Sequence, residues 1–211
     1  ETREQGLVYD AKNLAFILPA GKYIGNSRYK DVFAASAMAD LTSFRNHWGA
    51  ETSLDVELYR PVARYELVAK DVATFLNKLS TGGLKGESFT ARVKYSDYLP
   101  TGYNLWDDVP KNSLMYMEYK VAFERPADGT KELILGFDYV LTDAGETVSI
   151  PVELEILNEK NEVLARTAFR IPCERGKNTT VRGNFLTSDA NGGIGIDPDY
   201  DGDLEVDLGE L

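Results

Sequence analysis

Arg170–Leu186 reads RIPCERGKNTTVRGNFL. An extended apolar run arrives at Ile171-Pro172-Cys173. A short polar connection follows, Glu174-Arg175-Gly176-Lys177-Asn178, and Thr179-Thr180-Val181 then resumes the extended pattern. Two strand-like runs flanking a polar connection that contains glycine predict a β-hairpin. Asn178-Thr179-Thr180 also matches a glycosylation sequon, a match the hairpin reading absorbs.

Upstream, further runs carry the same strand signature. Val163 to Ile171, Val148 to Leu157, Lys131 to Leu141 and Leu114 to Phe123 are separated by Asn158-Glu159-Lys160-Asn161, Asp143-Ala144-Gly145 and Arg125-Pro126-Ala127-Asp128-Gly129. These connections are all turn chemistry. Phe89, Ala91, Val93 and Tyr95 alternate with polar residues, as do Tyr65, Leu67 and Ala69, and as do Leu54, Val56 and Leu58. Each set predicts a half-buried strand. Pro61 interrupts the last of these and implies an edge or a bend there, with Val62 buried and Arg60 and Arg64 wet. Ser96 to Ser113 reads as a loop rich in apolar residues. Nearer the start, Leu7-Val8-Tyr9 and Leu14 to Leu18 are strand candidates, and Phe33 to Leu41 fits helix or strand. Leu204 to Leu208 reads as a closing strand.

One helix is expected. Asp71 is a good N-cap, Val72, Phe75, Leu76 and Leu79 fall at i, i+3, i+4 and i+7, and Thr81-Gly82-Gly83 ends the run. About seven strands at hairpin spacing with one short helix predict an antiparallel β-sandwich.

Composition agrees. Tyr (12) and Phe (9) dominate the aromatic residues, a sheet-forming bias. At 211 residues the chain can bury a sizeable core. A formal charge of −11 excludes a nucleic-acid or anionic-membrane partner, because both demand a basic surface. The single Cys173 rules out an internal disulfide, and its apolar neighbours Phe169 and Ile171 predict a buried thiol. No apolar run is long enough for a membrane-spanning helix.

No catalytic, cofactor-binding or metal-binding residue is expected. There is no nucleophile elbow, phosphate loop, dinucleotide fingerprint or zinc-ligand pair, and the lone His47 has no carboxylate beside it in sequence. Asp197, Asp199, Asp201 and Gly202 satisfy D-x-D-x-D-G, with Asp203 and Glu205 following, a spacing that can wrap calcium. Against calcium, the twelfth position is Leu208 and Pro198 stiffens the run. It reads as a turn whose Asp side chains cap backbone N–H groups, with calcium as the alternative.

Several segments carry a resemblance. They are "TTVRGNFLTS" from Thr179, "GIGIDPDYDGDLEVDL" from Gly193, Leu58-Tyr59-Arg60-Pro61-Val62-Ala63-Arg64, and Asp31-Val32-Phe33-Ala34-Ala35-Ser36. The chain resembles the fimbrillin-like surface lipoproteins of Bacteroides-type bacteria, subunits or accessories of the type V pili. The resemblance implies a transthyretin-like β-sandwich over 54–211, preceded by a shortened N-terminal β domain over 1–53. It implies a structural or adhesive role at the cell surface or outer membrane, and assembly with other pilus subunits by β-strand exchange. A host or bacterial surface ligand is a further implied partner, and any lipid anchor would sit on residues outside this sequence. The segment after Pro19-Ala20-Gly21-Lys22-Tyr23 is shorter than the family pattern, so the first domain is expected to offer an open sheet edge. The alternative is a soluble carbohydrate-binding surface module, with Trp48, Tyr98, Tyr103 and Trp106 as a stacking platform.

Overall fold

The structure is a computed structural model that describes residues 9–10, 16–19, 21–188 and 204–207. The Asp197, Asp199, Asp201 and Asp203 run lies outside the described residues. The fold is an all-β sandwich with one α-helix among the described residues.

The first sheet of the sandwich has the order β10-β9-β4-β7, where β4 is Ser88–Tyr95, β7 is Glu118–Glu124, β9 is Thr147–Asn158 and β10 is Val163–Glu174. All its pairings are antiparallel. In β4 the alternation expected from sequence is met: Phe89, Ala91, Val93 and Tyr95 are buried and the residues between them are half-exposed. Ile150, Val152, Leu154 and Ile156 of β9 and Phe169, Ile171 and Cys173 of β10 bury into the same core. A second sheet contributes Tyr65, Leu67, Leu135 and Val181. Its order is β12-β11-β3-β8, with β3 at Val62–Ala69, β8 at Leu133–Leu141, β11 at Asn178–Gly183 and β12 at Leu204–Asp207.

The helix α1, Val72–Ser80, crosses from β3 to β4 and buries Val72, Phe75 and Leu76 as its spacing predicts. The Phe75 ring meets Phe89 edge-on at 5.1 Å. Asp71 stands at the N-cap position, but its side chain does not cap α1. Its carboxylate instead accepts the backbone N–H groups of Leu186 at 3.0 Å and Thr187 at 2.8 Å and the Thr187 hydroxyl at 2.8 Å. The start of the helix thereby anchors the chain that leaves β11.

Arg170–Leu186 does not form the expected hairpin. β10 pairs with β9, whereas β11 pairs in parallel with β3 and antiparallel with β12, so the stretch passes from one sheet to the other. The local turn chemistry is as expected: Lys177 N–H donates to the Glu174 carbonyl at 3.0 Å, and Gly176 takes the left-handed φ of 74°. Tertiary contacts set the destination. Gly176 N–H donates to the Val62 carbonyl and the Lys177 carbonyl accepts from Arg64 N–H, both at 2.9 Å. The groups that a hairpin would turn back on β10 are taken by the entrance of β3. Thr179 Oγ1 donates to the Pro172 carbonyl at 2.7 Å and holds the two arms of the crossing together.

Pro61 provides the expected bend, directly before β3, but β3 is a central strand with β11 and β8 on its two sides. Val62 is buried as expected, while Arg60 and Arg64 are half-buried.

A smaller sheet has the order β1-β2-β5-β6, with β1 at Tyr9–Asp10, β2 at Phe16–Pro19, β5 at Leu99–Asn104 and β6 at Val109–Leu114. Strands from before residue 53 and strands from after it thus share one sheet, with Phe16 opposite Asn104 and Ile17 opposite Tyr103. The expected Ser96–Ser113 loop is therefore largely a hairpin. Its runs are short and carry Pro100, Gly102 and Pro110, which hide the strand period from a reading of the sequence alone.

The segment that follows β2 is pinned to the sandwich by buried polar contacts. Lys30 Nζ lies 2.6 Å from Asp138 Oδ1 of β8, with side chains 5% and 0% exposed. Tyr23 and Tyr95 donate to Asp138 Oδ2, the latter at 2.7 Å. Tyr65 joins this group through Tyr95 at 2.7 Å and Tyr119 at 3.2 Å. A buried ion pair persists only when its remaining hydrogen-bonding capacity is met, and the tyrosines meet it here.

Candidate interaction surface

After Lys30 the chain makes one backbone bridge and then a long excursion. Ala34 and Tyr59 exchange hydrogen bonds of 2.8 and 2.9 Å, closing the neck of a loop. Residues 35–58 between them belong to no strand and contain a single 3-10 turn, Thr42–Phe44. Asp40 Oδ1 accepts Thr42 N–H at 2.9 Å and starts that turn. Phe33 to Leu41, read as helix or strand, is neither beyond the single bridge at Ala34.

The loop is unusually apolar on its outside. Met38, Leu41, Trp48, Leu54, Val56 and Leu58 are all exposed, Trp48 by 98%. The expected half-buried strand over Leu54 to Leu58 is thus corrected: the alternation is present, but the segment joins no sheet. Alternation makes a strand only where the segment pairs with an edge, and among the described residues this segment pairs with none.

The second part of the surface is the β5–β6 hairpin. Asn104 Oδ1 accepts Trp106 N–H at 3.0 Å and Asp107 N–H at 3.2 Å, shaping the connection between the strands. Leu99 and Tyr103 turn inward, whereas Tyr98, Trp106 and Tyr116 are exposed. β6 lies at the edge of its sheet and is exposed along most of its length.

Asp108 joins the two parts. It takes a left-handed φ of 58° at the end of the hairpin connection. Its Oδ1 accepts the Tyr59 hydroxyl at 2.5 Å and the Tyr103 hydroxyl at 2.7 Å. Arg175, from the crossing between β10 and β11, grips it with both terminal nitrogens at 2.8 Å and lies over the Tyr59 ring at 4.1 Å. The Arg175 hydrogen bonds lead in holding the Asp108 carboxyl down at about 2, against the opposing effect of burial. Burial first, and then the bond to Asp108, raises the Tyr59 and Tyr103 hydroxyls, so both remain donors. Leu58 and Trp106 therefore project from positions next to one rigid node.

Of the four aromatic residues expected to form a platform, Trp48, Tyr98 and Trp106 are exposed and Tyr103 is buried at 0%. Tyr103 is a supporting residue. Nothing in the sequence marks Tyr59, Asp108 and Arg175 as a group; the one local signal is the Asn104…Asp107-Asp108 turn chemistry. His47 is exposed, its Nδ1 3.1 Å from the Ser43 carbonyl. Cys173 is buried as expected, and burial pushes its thiol up to about 12. Among the described residues no three His, Cys, Asp or Glu side chains converge on a metal position. The surface offers apolar and aromatic contact on a rigid base, and main-chain groups at a sheet edge.

A family model described as a family of unknown function, DUF6562, matches residues 1–209. The chain belongs to that family. Comparison with curated proteins finds no match. Among solved structures it is similar to one described as a "putative cell adhesion protein" from Bacteroides ovatus, at 13% identity and a TM-score of 0.36. That similarity covers 60% of this chain and 41% of the other. No helix of the described residues in this DUF6562 member is long and apolar enough to cross a membrane.

Proposed function

We propose that this chain is a non-catalytic adhesive or structural protein of the bacterial cell surface. It is a fimbrillin-like subunit or pilus-associated outer-membrane protein that joins other subunits by β-strand exchange. The observation that carries this reading is the Leu54-Val56-Leu58 segment, strand-patterned yet exposed and outside every sheet. Such a segment gains main-chain hydrogen bonds and apolar contact on pairing with the sheet edge of another chain. The net charge of −11 offers little electrostatic attraction between like subunits, so association is driven by apolar contact and main-chain pairing.

Sedimentation of the purified chain over a wide concentration range, with and without a peptide copying residues 51–60, tests this. Self-association or peptide binding, weakly dependent on salt, is expected. The triple change Leu54→Asp, Val56→Asp, Leu58→Asp should abolish self-association when made in the chain and peptide binding when made in the peptide, while Asp55→Ser with Glu57→Ser should do neither. A strictly monomeric protein that ignores the peptide would defeat the proposal.

The exposure of Trp48, Tyr98 and Trp106 favours a second reading, stacking of sugar rings on a surface carbohydrate site. A glycan array separates the two: a defined sugar whose binding disappears in Trp106→Ala supports the second reading.

A further inference from the structure

We propose that Lys30 and Asp138 condense to an intramolecular isopeptide bond, which ties the segment leading into the exposed loop covalently to β8. The two side chains are 108 residues apart in sequence and in contact in space. Nζ lies 2.6 Å from Oδ1, and both side chains are nearly free of solvent. Each polar atom of the pair is oriented. Nζ also donates to the Tyr23 hydroxyl at 2.9 Å and lies 4.4 Å from the Tyr23 ring centroid. Oδ1 accepts the Tyr139 backbone N–H at 2.8 Å. Oδ2 accepts the hydroxyls of Tyr23 and Tyr95.

This arrangement meets the requirements of an amide condensation. Burial lowers the Lys30 pKa despite the opposing field of Asp138, which favours the neutral amine that acts as nucleophile. A proton passes from the ammonium to Oδ1, leaving an amine beside a carboxylic acid. Nζ attacks Cγ, and negative charge develops on Oδ2, where the Tyr23 and Tyr95 hydroxyls already point. A second proton follows from nitrogen to Oδ1, the Cγ–Oδ1 bond breaks, and water leaves. Two of the three ammonium protons depart with that oxygen, the third stays on the amide nitrogen, and no oxidant or other reactant is consumed. The step replaces a buried ion pair with a neutral amide, which removes the cost of holding two charges away from water. Fixed contact between the partners supplies the effective concentration that free amines and acids lack. A cavity of about 30 Å³ lined by Tyr23, Lys30 and Tyr139 adjoins the Lys30 side of the pair. It is large enough for the released water.

The test is the intact mass of the full chain after unfolding in denaturant, followed by tryptic mapping. The chain should be lighter than its sequence by one water, and residues 29–45 should be recovered joined to residues 132–160, with cleavage after Lys30 blocked. Lys30→Met should restore the full mass, and Tyr95→Phe should slow the cross-link without abolishing it. Because the wild-type measurement needs no variant, a misfolded Lys30→Met would not obscure the result. An unmodified mass after prolonged incubation of the folded protein overturns the proposal. So does a loss of water that maps to a succinimide at Asp128-Gly129 with residues 29–45 unlinked.

Discussion

Arg175 grips Asp108 with both terminal guanidinium nitrogens at 2.8 Å across 67 residues of sequence, and so fastens the β5–β6 hairpin to the crossing between the two sandwich sheets. The pair rests on a conformational choice as well as on charge, since Asp108 sits at a φ of 58°. Asp and Asn tolerate that region far better than other side chains with a Cβ.

Two substitutions at Asp108 therefore separate charge from backbone. Asp108→Asn keeps the conformation and loses the charge, and should lower stability by about 1 kcal/mol or less, because the pair is partly exposed and screened. Asp108→Ala also loses the acceptor for Tyr59 and Tyr103 and should cost more. The folded-state pKa of about 2 lies below the ordinary carboxylate value, so the contribution is fully present above that ordinary value. It is lost as pH falls toward 2. Thermal melts of wild type and Asp108→Asn should converge over that acid window.

Glu155 is the charged centre of the outer face of the first sheet. Its side chain is 0% exposed and receives Arg92 from β4, Lys94 at 2.9 Å and Arg166 from β10 at 2.7 Å. Burial by itself would raise its pKa, but the hydrogen bonds from Lys94, Arg92 and Arg166 together hold it at about 2. Glu155→Gln would leave Arg92 facing a neutral amide and Lys94 and Arg166 with Glu153 alone, at 3.1 and 3.9 Å, and should destabilise by about 2–3 kcal/mol. The loss should be largest at neutral pH and should shrink as acid protonates the wild-type carboxylate. Urea unfolding at pH 7 and pH 3 measures it.

Asp71 ties the chain after β11 to the start of α1 through the Leu186 and Thr187 backbone. Asp71→Ala leaves the buried Leu186 N–H without its acceptor and should cost about 2–3 kcal/mol. Asp71→Asn retains an oxygen and should cost less. Amide exchange at Leu186 and Thr187 should quicken selectively in both.

Cys173 is enclosed in the core, and burial raises its thiol pKa to about 12. It should resist alkylation at neutral pH in the native protein and react fully in denaturant. Its labelling rate under native conditions then reports opening of the sandwich.

Periodicity was legible without a structure. The spacing of Val72, Phe75, Leu76 and Leu79 located α1, and the alternation along β3 and β4 marked which side chains enter the core. Those patterns express which face of an element avoids water, a property of neighbouring residues. They carry no address for the edge on which a strand lands. Gly176 and its polar neighbours specify a turn, but only the carbonyl of Val62 and the N–H of Arg64, waiting at the head of β3, make that turn a crossing rather than a hairpin. Leu54, Val56 and Leu58 read as a strand for the same local reason, yet they pair with no strand among the described residues and stay exposed. Asp108 with Arg175, and Lys30 with Asp138, have nothing in their local sequence that names the partner. Their pairing exists because the sheets bring distant segments to within 3 Å, where Coulomb attraction and lost hydration are decided by contact in space.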